Sequence, residues 1–475
     1  MISAAHATCD VATAHAIASA STTERPRLLI ATTILASSLA FIDGSVVNVG
    51  LPAIGTTFGA GASDLQWVVN AYLLPLSALL LLGGATGDIF GRRRMLITGV
   101  TLFGLSSVAC AAAASIAFLL AARLVQGASA ALLMPNSLAI LGTAFSGEAK
   151  GRAIGVWAAA AAAAGAIGPV LGGWLIDIGS WRLIFLINVP IAILAISLAL
   201  LSVPKDDVGK SASLDGAGAL LATIGLALPT WALTESSSHG WSAPTSLGFA
   251  AGVIALVAFV VVEWRRKETA MMPLALFGSP TFVGLTLLTL FLYAALGGLL
   301  VVLPYVLITS LNYSATQAAA ALLPLALVIS LVSPLAGSVA ARIGPRPVLV
   351  ASPLVVAVGF LLAMRIASYD GYWTSVFPSM LVIALGMSGA VAPLTTAVLM
   401  SVDARHTGSA SGFNSAVART GGLIATALIG SVMIAAGPAL RTAFELAAIV
   451  GAATCVAASL SALFWINLPV SAARS

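Results

Sequence analysis

Charge is what this chain most conspicuously lacks. Its 475 residues include 21 Lys or Arg and 16 Asp or Glu, which is 8% charged, against roughly 25% in ordinary soluble domains. A water-soluble globule of this length cannot cover its surface with so few charges, and 60% of the residues are hydrophobic. That hydrophobicity also excludes a disordered chain, and the 45 Gly keep no three-residue period, which excludes a collagen-like one. Cysteine is scarce as well. Cys9, Cys110 and Cys455 lie far apart with no CxxC pair, so disulfide scaffolds, zinc sites and redox motifs lack support. The four histidines, His6, His15, His239 and His406, fall in expected tails or loops, and no metal site is expected. What is present is a succession of long apolar runs, which defines an all-α polytopic membrane protein with the lipid bilayer around it. In such a chain the net charge of +5 is no sign of a nucleic-acid partner, because basic residues gather in loops for topological reasons.

A span needs roughly 20 mostly apolar residues, and about fourteen segments qualify, from 28–52 to 443–467. An even number puts both termini on one side. With that side cytoplasmic, sixteen of the 21 basic residues fall in inner loops and tails. Outer loops hold only Arg182, Arg365 and Arg441, while Arg123 and Arg419 sit inside spans. This bias predicts a multi-pass protein of the cytoplasmic (inner) membrane with both termini inside. Residues 1–27 have no early Lys or Arg, Asp10 interrupts them, and the first apolar run continues as a full span, so a short cytoplasmic tail is expected rather than a signal peptide. No loop is long enough for a soluble catalytic domain, which argues against an enzyme.

The chain echoes itself. GGATGDIFGRRR, from Gly83, reappears as AGSVAARIGPR from Ala336, and a Gly run followed by Pro recurs in QGASAALLMP and LGMSGAVAP. Two six-helix bundles, 28–203 and 281–475, are expected, joined by a segment, 204–280, that holds two linker transmembrane helices and a cytoplasmic loop. Repeated halves are how many transporters build a midplane site that opens alternately to each side.

Four motifs give these echoes a family likeness. GATGDIFGRRRM carries Gly84, Asp88, Gly91, Arg92 and Arg93; RLVQG carries Arg123, Gln126 and Gly127; GPVLGG carries Gly168, Pro169, Gly172 and Gly173; IDGSVVNVGLP runs from Ile42 to Pro52. In these motifs the chain resembles the major facilitator superfamily, specifically its 14-span drug:proton antiporters of the EmrB/QacA type. LQWVVNAYLL from Leu65 and WRLIFLINVP from Trp181 strengthen the likeness. The first motif departs from the family's usual Leu, Ala and Arg at Thr86, Gly87 and Ile89, and Ala164 replaces a usual Gly upstream of GPVLGG. The resemblance implies a major facilitator fold, an antiporter motif in span five, and a loop after span two that latches a cytoplasmic gate between the halves.

Asp43 is the only acidic residue well inside an expected span, about nine residues or ~13 Å from its outer end. An intramembrane carboxylate costs at least ~2.5 kcal/mol on insertion scales, so it needs a compensating partner. Arg123 sits at similar depth in span four, and the resemblance implies that spans one and four touch. One reading is a fixed ion pair that holds helices together. The other is proton coupling: desolvation favours a protonated acid and a nearby cation favours the carboxylate, so a balanced site binds a proton or a cationic substrate but not both easily. Asn48 and Gln126 add hydrogen bonds to such a site or serve as interhelical glue. Asp88 with Arg92–Arg94 reports positive-inside topology or a gating loop fixed between Gly84 and Gly91. Gly168, Pro169, Gly172 and Gly173 allow close packing and a bend rather than substrate contact. Arg419 is either a gating ion pair or a carbonyl-bonded structural residue. Tyr72, Trp157 and Tyr293 lie far enough inside spans to offer stacking surfaces, and with Asn48, Gln126 and Arg419 they complete the substrate-cavity candidates. Glu235, Glu263 and Glu445 fall at span ends and are expected to be solvated.

The function expected from these residues is a proton-coupled antiporter that exports amphipathic, often cationic compounds, with no cofactor beyond the proton motive force. A dedicated exporter of one endogenous metabolite is the alternative, and Arg419 leaves room for an anionic or zwitterionic one. A non-transporting membrane sensor is a third reading. Whether a periplasmic adaptor takes part is left open by the sequence.

Overall fold

The structure, a computed structural model, describes residues 25–145, 147–205, 215–266, 274–368, 371–402, 407–435 and 438–467. Most of the expected tail, residues 1–24, lies outside the described residues, as do Lys210, Lys267, Arg405, His406 and Arg474.

The described chain is built of helices. In order they are α1 (Pro26–Phe58), α2 (Ala62–Phe90), α3 (Arg92–Ala111), α4 (Ile116–Ala144), α5 (Gly147–Ile178) and α6 (Leu183–Ser202). Next come α7 (Gly216–His239) and α8 (Ala243–Arg266), then α9 (Pro280–Leu311), α10 (Ala315–Ile343) and α11 (Pro345–Ile366). The last three are α12 (Tyr372–Met400), α13 (Thr407–Leu428) and α14 (Pro438–Trp465). Eleven are long and apolar enough to cross a membrane, twelve when the two parts of α2 are counted as one span. α5 and α13, of 32 and 22 residues, complete the expected order but carry more polar or small residues. A chain in hydrocarbon must satisfy its backbone internally, and apolar runs of this length do so as helices.

Local chemistry sets the ends. Ser115 caps α4 by accepting from Phe118 N, and Ser279 caps α9 ahead of Pro280. Ser314 and Gln317 form a reciprocal capping box at the start of α10. Between α2 and α3 the chain turns on Gly91 alone, at φ 95°, and between α10 and α11 on Gly344, at φ 88°, a backbone region that favours glycine.

The sequence echo has a spatial counterpart. α1 packs on α5 and α6, α2 on α4, α3 on α4 and α6; likewise α9 packs on α13 and α14, α10 on α12, and α11 on α12 and α14. Interior prolines of α1, α2 and α4 (Pro52, Pro75, Pro135) recur in α9, α10 and α12 (Pro304, Pro334, Pro393). Arg93 donates to the Leu200 carbonyl near the end of α6 at 2.9 Å, and Arg346, two residues past Gly344, donates to the Leu463 carbonyl near the end of α14 at 2.7 Å. The two sets meet through α2 against α13, α5 against α10, and α1 against α9. Helices α7 and α8 pack on each other, and α7 also touches α2 and α13.

Leu105, Ile193, Leu247, Ile254, Leu331 and Leu335 are each more than 60% exposed. A soluble surface would not carry such side chains in bulk, whereas a lipid-facing one does. Inside, one apolar core fills the second helix set and continues into the first around Val47, Leu51, Ile54 and Leu65, at the end remote from the termini. A second core, around Leu29, Leu39, Leu96 and Leu141, fills the first set at the terminus end. Glu263 departs from its expected place in solvent. It is 1% exposed, next to buried Asp215, which pairs with Arg266 at 3.2 Å where α7 begins and α8 ends. Glu235 and Glu445 instead face His239 and Arg441 one turn away.

Candidate functional site

Arg123 and Gln126, three residues apart on α4, present one face to α1. Arg123 Nη1 donates to Asp43 Oδ2 and, at 2.8 Å, to Gln126 Oε1, while its Nε donates to the Val68 carbonyl at 3.1 Å. Gln126 Nε2 donates to Asp43 Oδ1 at 2.9 Å and to Ser107 Oγ at 2.9 Å. Asn188 Nδ2, from the first turn after the break in α6, donates to the same Asp43 Oδ1 at 3.2 Å and to Ser107 Oγ at 3.3 Å. Helices α4 and α6 thus meet the carboxylate of α1 directly, and α2 and α3 bond the residues that hold it. The Arg123 guanidinium also stacks 4.4 Å from the Tyr72 ring centre and 5.7 Å from that of Phe185. Asp43 and Gln126 are 0% exposed, Arg123 and Tyr72 1%.

A carboxylate so enclosed is held by one full charge and two amide donors, which offset the cost of its burial. The cluster is a polar core within the first helix set. Asp43 and Arg123, paired by the resemblance, do meet, and Gln126 joins them. Ser107, Asn188, Cys110 and Phe185 complete the cluster without having been singled out from the sequence. Asn188 carried a faint signal, as the one amide in the apolar run IFLINVP.

The substrate-cavity candidates divide. Tyr72 and Gln126 are closed to solvent, Tyr72 having its hydroxyl on the Ala40 carbonyl at 3.0 Å, so neither lines an open surface here. Asn48 is also buried, and its Oδ1 has no hydrogen-bond partner among the described residues. Trp157 stays half-buried, its indole N–H donating to Ser37 Oγ at 3.0 Å and its ring edge-on to Phe41. Tyr293 and Arg419 are half-buried, and Arg419 Nη2 reaches across from α13 to Met134 Sδ on α4 at 3.1 Å. Neither reading of Arg419 is met: among the described residues it has no carboxylate and no carbonyl to bond. Buried Gln66 and Asn70 on α2, with Thr234 on α7, keep side-chain polar atoms without partners among the described residues.

The loop after α2, which the resemblance implies is a latch between halves, has its described side-chain bonds to helices of the first set. Asp88 lies in the last turn of α2, not at a helix N-terminus, and pairs with Arg92 at 2.8 Å. Arg92 also donates to the Ala139 carbonyl at 3.2 Å, and Arg93 reaches Leu200, so these bonds stay within the first helix set. Gly84 sits 3.5 Å from Pro135 by its absent Cβ, and the unusual Gly87 leaves room for Asn136, whose amide donates to the Gly83 carbonyl at 2.9 Å.

The sets close on each other at the end remote from the termini, and GPVLGG is part of the contact. A Cβ on Gly168 would lie 2.8 Å from Ser45 Oγ, and one on Gly172 would overlap Val46, so both let α5 lie against α1. A Cβ on Gly173 would stand 2.5 Å from the Ala315 carbonyl oxygen of α10. One turn on, Asp177 accepts from Ala315 N at 3.1 Å, Thr316 N at 3.0 Å and the Thr316 hydroxyl at 2.6 Å, capping α10 from the opposite set. Pro169 is buried within the same helix.

A membrane bundle of two like helix sets, with an ion pair inside one and small-residue contacts between them, is the architecture of a transporter. Residues 33–293 and 285–474 match the family described as the Major Facilitator Superfamily. The chain is 32% identical over 402 residues to the multidrug resistance protein Stp of Mycobacterium tuberculosis (strain CDC 1551 / Oshkosh), covering 83% of this chain and 73% of that one. It is 33% identical over 402 residues to the methylenomycin A resistance protein of Bacillus subtilis (strain 168), covering 83% and 85%. In fold it is similar to the crystal structure of a D-xylose–proton symporter, with TM-score 0.68 at 15% identity over 93% of this chain and 98% of that one. The chain belongs to the major facilitator superfamily: it is a multi-pass membrane transporter and not an enzyme.

Proposed function

We propose that the protein is a proton-coupled antiporter of the cytoplasmic membrane that exports amphipathic toxic compounds, with both termini inside and no cofactor beyond the proton motive force. Export is supported by its relatives, whose names are those of drug and antibiotic resistance proteins. The orientation is supported by the basic residues: Arg92–Arg94, Arg265–Arg266, Arg342 and Arg346 lie at the end of the bundle where the chain enters and leaves, and Arg182, Arg365 and Arg441 at the other. On this reading residues 28–203 and 281–475 rock against each other, with 204–280 bridging them.

Proton coupling rests on one observation, the enclosure of Asp43 by Arg123, Gln126 and Asn188. A proton on Asp43 removes the charge that Arg123 answers and loosens the bonds by which α4 and α6 hold α1. Arg123 keeps its charge throughout and cannot itself be the carrier. Because Asp43 is shut away from solvent, protonation acts through helix packing rather than by direct exchange of a proton for a cationic substrate at the carboxylate. The antiporter motif and Asp177 hold the outer side shut while the inner side takes up substrate. Inside-out vesicles bearing Asp43→Asn are expected to lose proton-driven dye uptake. Uptake equal to the parent's would show that the proton is carried elsewhere.

A further inference from the structure

We propose that Arg419 is the receptor for an anionic group on the transported compound, so that the site selects amphipathic carboxylates or zwitterions over cations. This names the substrate class of the exporter proposed above and rests on that reading.

Asp43, Arg123 and Arg419 lie at membrane depth in the described helices, as does Glu445, which pairs with Arg441 one turn away. The first two neutralise each other in a closed cluster, so the charge offered to anything between the helix sets is that of Arg419. Its place is between the sets. It springs from α13 and touches Met134 of α4, with Tyr72 and Tyr293 within electrostatic reach. An arginine kept at membrane depth for structural reasons bonds acids or backbone carbonyls, as Arg123 does with Asp43 and Val68. Arg419 has neither among the described residues. A thioether, a weak acceptor, is its one hydrogen-bond partner there, and its buried Nε has none. A guanidinium carries five N–H donors in a planar fork that fits a carboxylate, so most of its bonding capacity is unspent. The helix that bears it is suited to a wetted wall: residues Gly412–Asn414 and Ala416–Thr420 of α13 are half-exposed rather than closed into the core. Half-buried Tyr293 supplies a ring nearby for the apolar body of a guest. Asp43, by contrast, offers a cation no accessible carboxylate.

The test uses purified full-length protein in phosphate-free detergent buffer and three probes on one ring system: 1-pyrenebutyrate, its methyl ester, and a pyrenebutyl trimethylammonium. The wild-type protein is expected to bind the carboxylate at least about tenfold more tightly than the ester or the cation. Arg419→Gln is expected to abolish that preference, and Arg419→Lys, which keeps the charge without the fork, to retain part of it. A wild-type protein without preference for the carboxylate overturns the proposal, as does Arg419→Gln that keeps it. If Arg419→Gln does not fold, the wild-type and Arg419→Lys ratios decide. Failure of the export reading looks different: the carboxylate preference would persist, but proteoliposomes would show no gradient-driven flux of pyrenebutyrate.

Discussion

Asp43 and Arg123, eighty residues apart in the chain, form an ion pair that solvent does not touch. Breaking such a pair from one side leaves a lone buried charge, at a cost of about 3–5 kcal/mol, whereas replacing both charges costs far less. Arg123→Ala is therefore expected to lower the unfolding midpoint in detergent sharply. The double variant Asp43→Asn with Arg123→Gln should unfold at a higher temperature than Arg123→Ala alone. Equal midpoints would mean that the pair is not coupled energetically.

Asn188 ties α6 to the same carboxylate, and Ser107 of α3 accepts from the two amides, Asn188 and Gln126, that donate to it. Asn188→Leu removes a donor to Asp43 Oδ1 while keeping an apolar body of similar size. A net loss of about 1–3 kcal/mol is expected, as for hydrogen bonds to charged groups, together with a shift in the pH dependence of transport. Ser107→Ala should have a smaller effect in the same direction, read as thermal midpoint and pH profile side by side.

The contact of Gly173 with the Ala315 carbonyl leaves no room for a side chain. Gly173→Leu is expected to part α5 from α10 and favour a state open at the end remote from the termini. Spin labels on the α1–α2 and α9–α10 connections would report this as a longer distance. An unchanged distance would mean that α10 yields instead.

Asp177 caps α10 with three bonds from across the bundle. Losing the charge in Asp177→Asn is expected to weaken that clasp by about 1 kcal/mol and raise the population open at that end by roughly fivefold. The same spin-label pair measures it, now as a change in the ratio of two distances rather than a shift of one.

The run of apolar segments made the helical fold legible, because hydrocarbon leaves a chain few options besides the helix. The repeat was legible in Gly91 and Gly344, which reappear as matching positive-φ turns, between α2 and α3 and between α10 and α11. Asp43 and Arg123 stood out because charge is rare at depth. Asn188 and Ser107 did not, since a lone amide or hydroxyl in an apolar helix has no pattern to mark its direction. Likewise nothing in DIFGRRR showed that Asp88 would end up in the last turn of α2, paired to Arg92 within its own set. The burial of Tyr72 and Glu263 depended on which neighbours packed over them, information spread across distant helices. Asp177 carries no motif in the sequence, and only the arrival of α10 from the other half gives it partners.

The most direct test of the central claim is the proton itself. A purified protein in weakly buffered detergent, with a pH-sensitive dye, is mixed with a transported amphipathic compound. If Asp43 carries the exchanged proton, the wild-type protein releases protons on binding and Asp43→Asn binds the compound but releases none. Proton release from Asp43→Asn equal to that of the wild type would contradict the account.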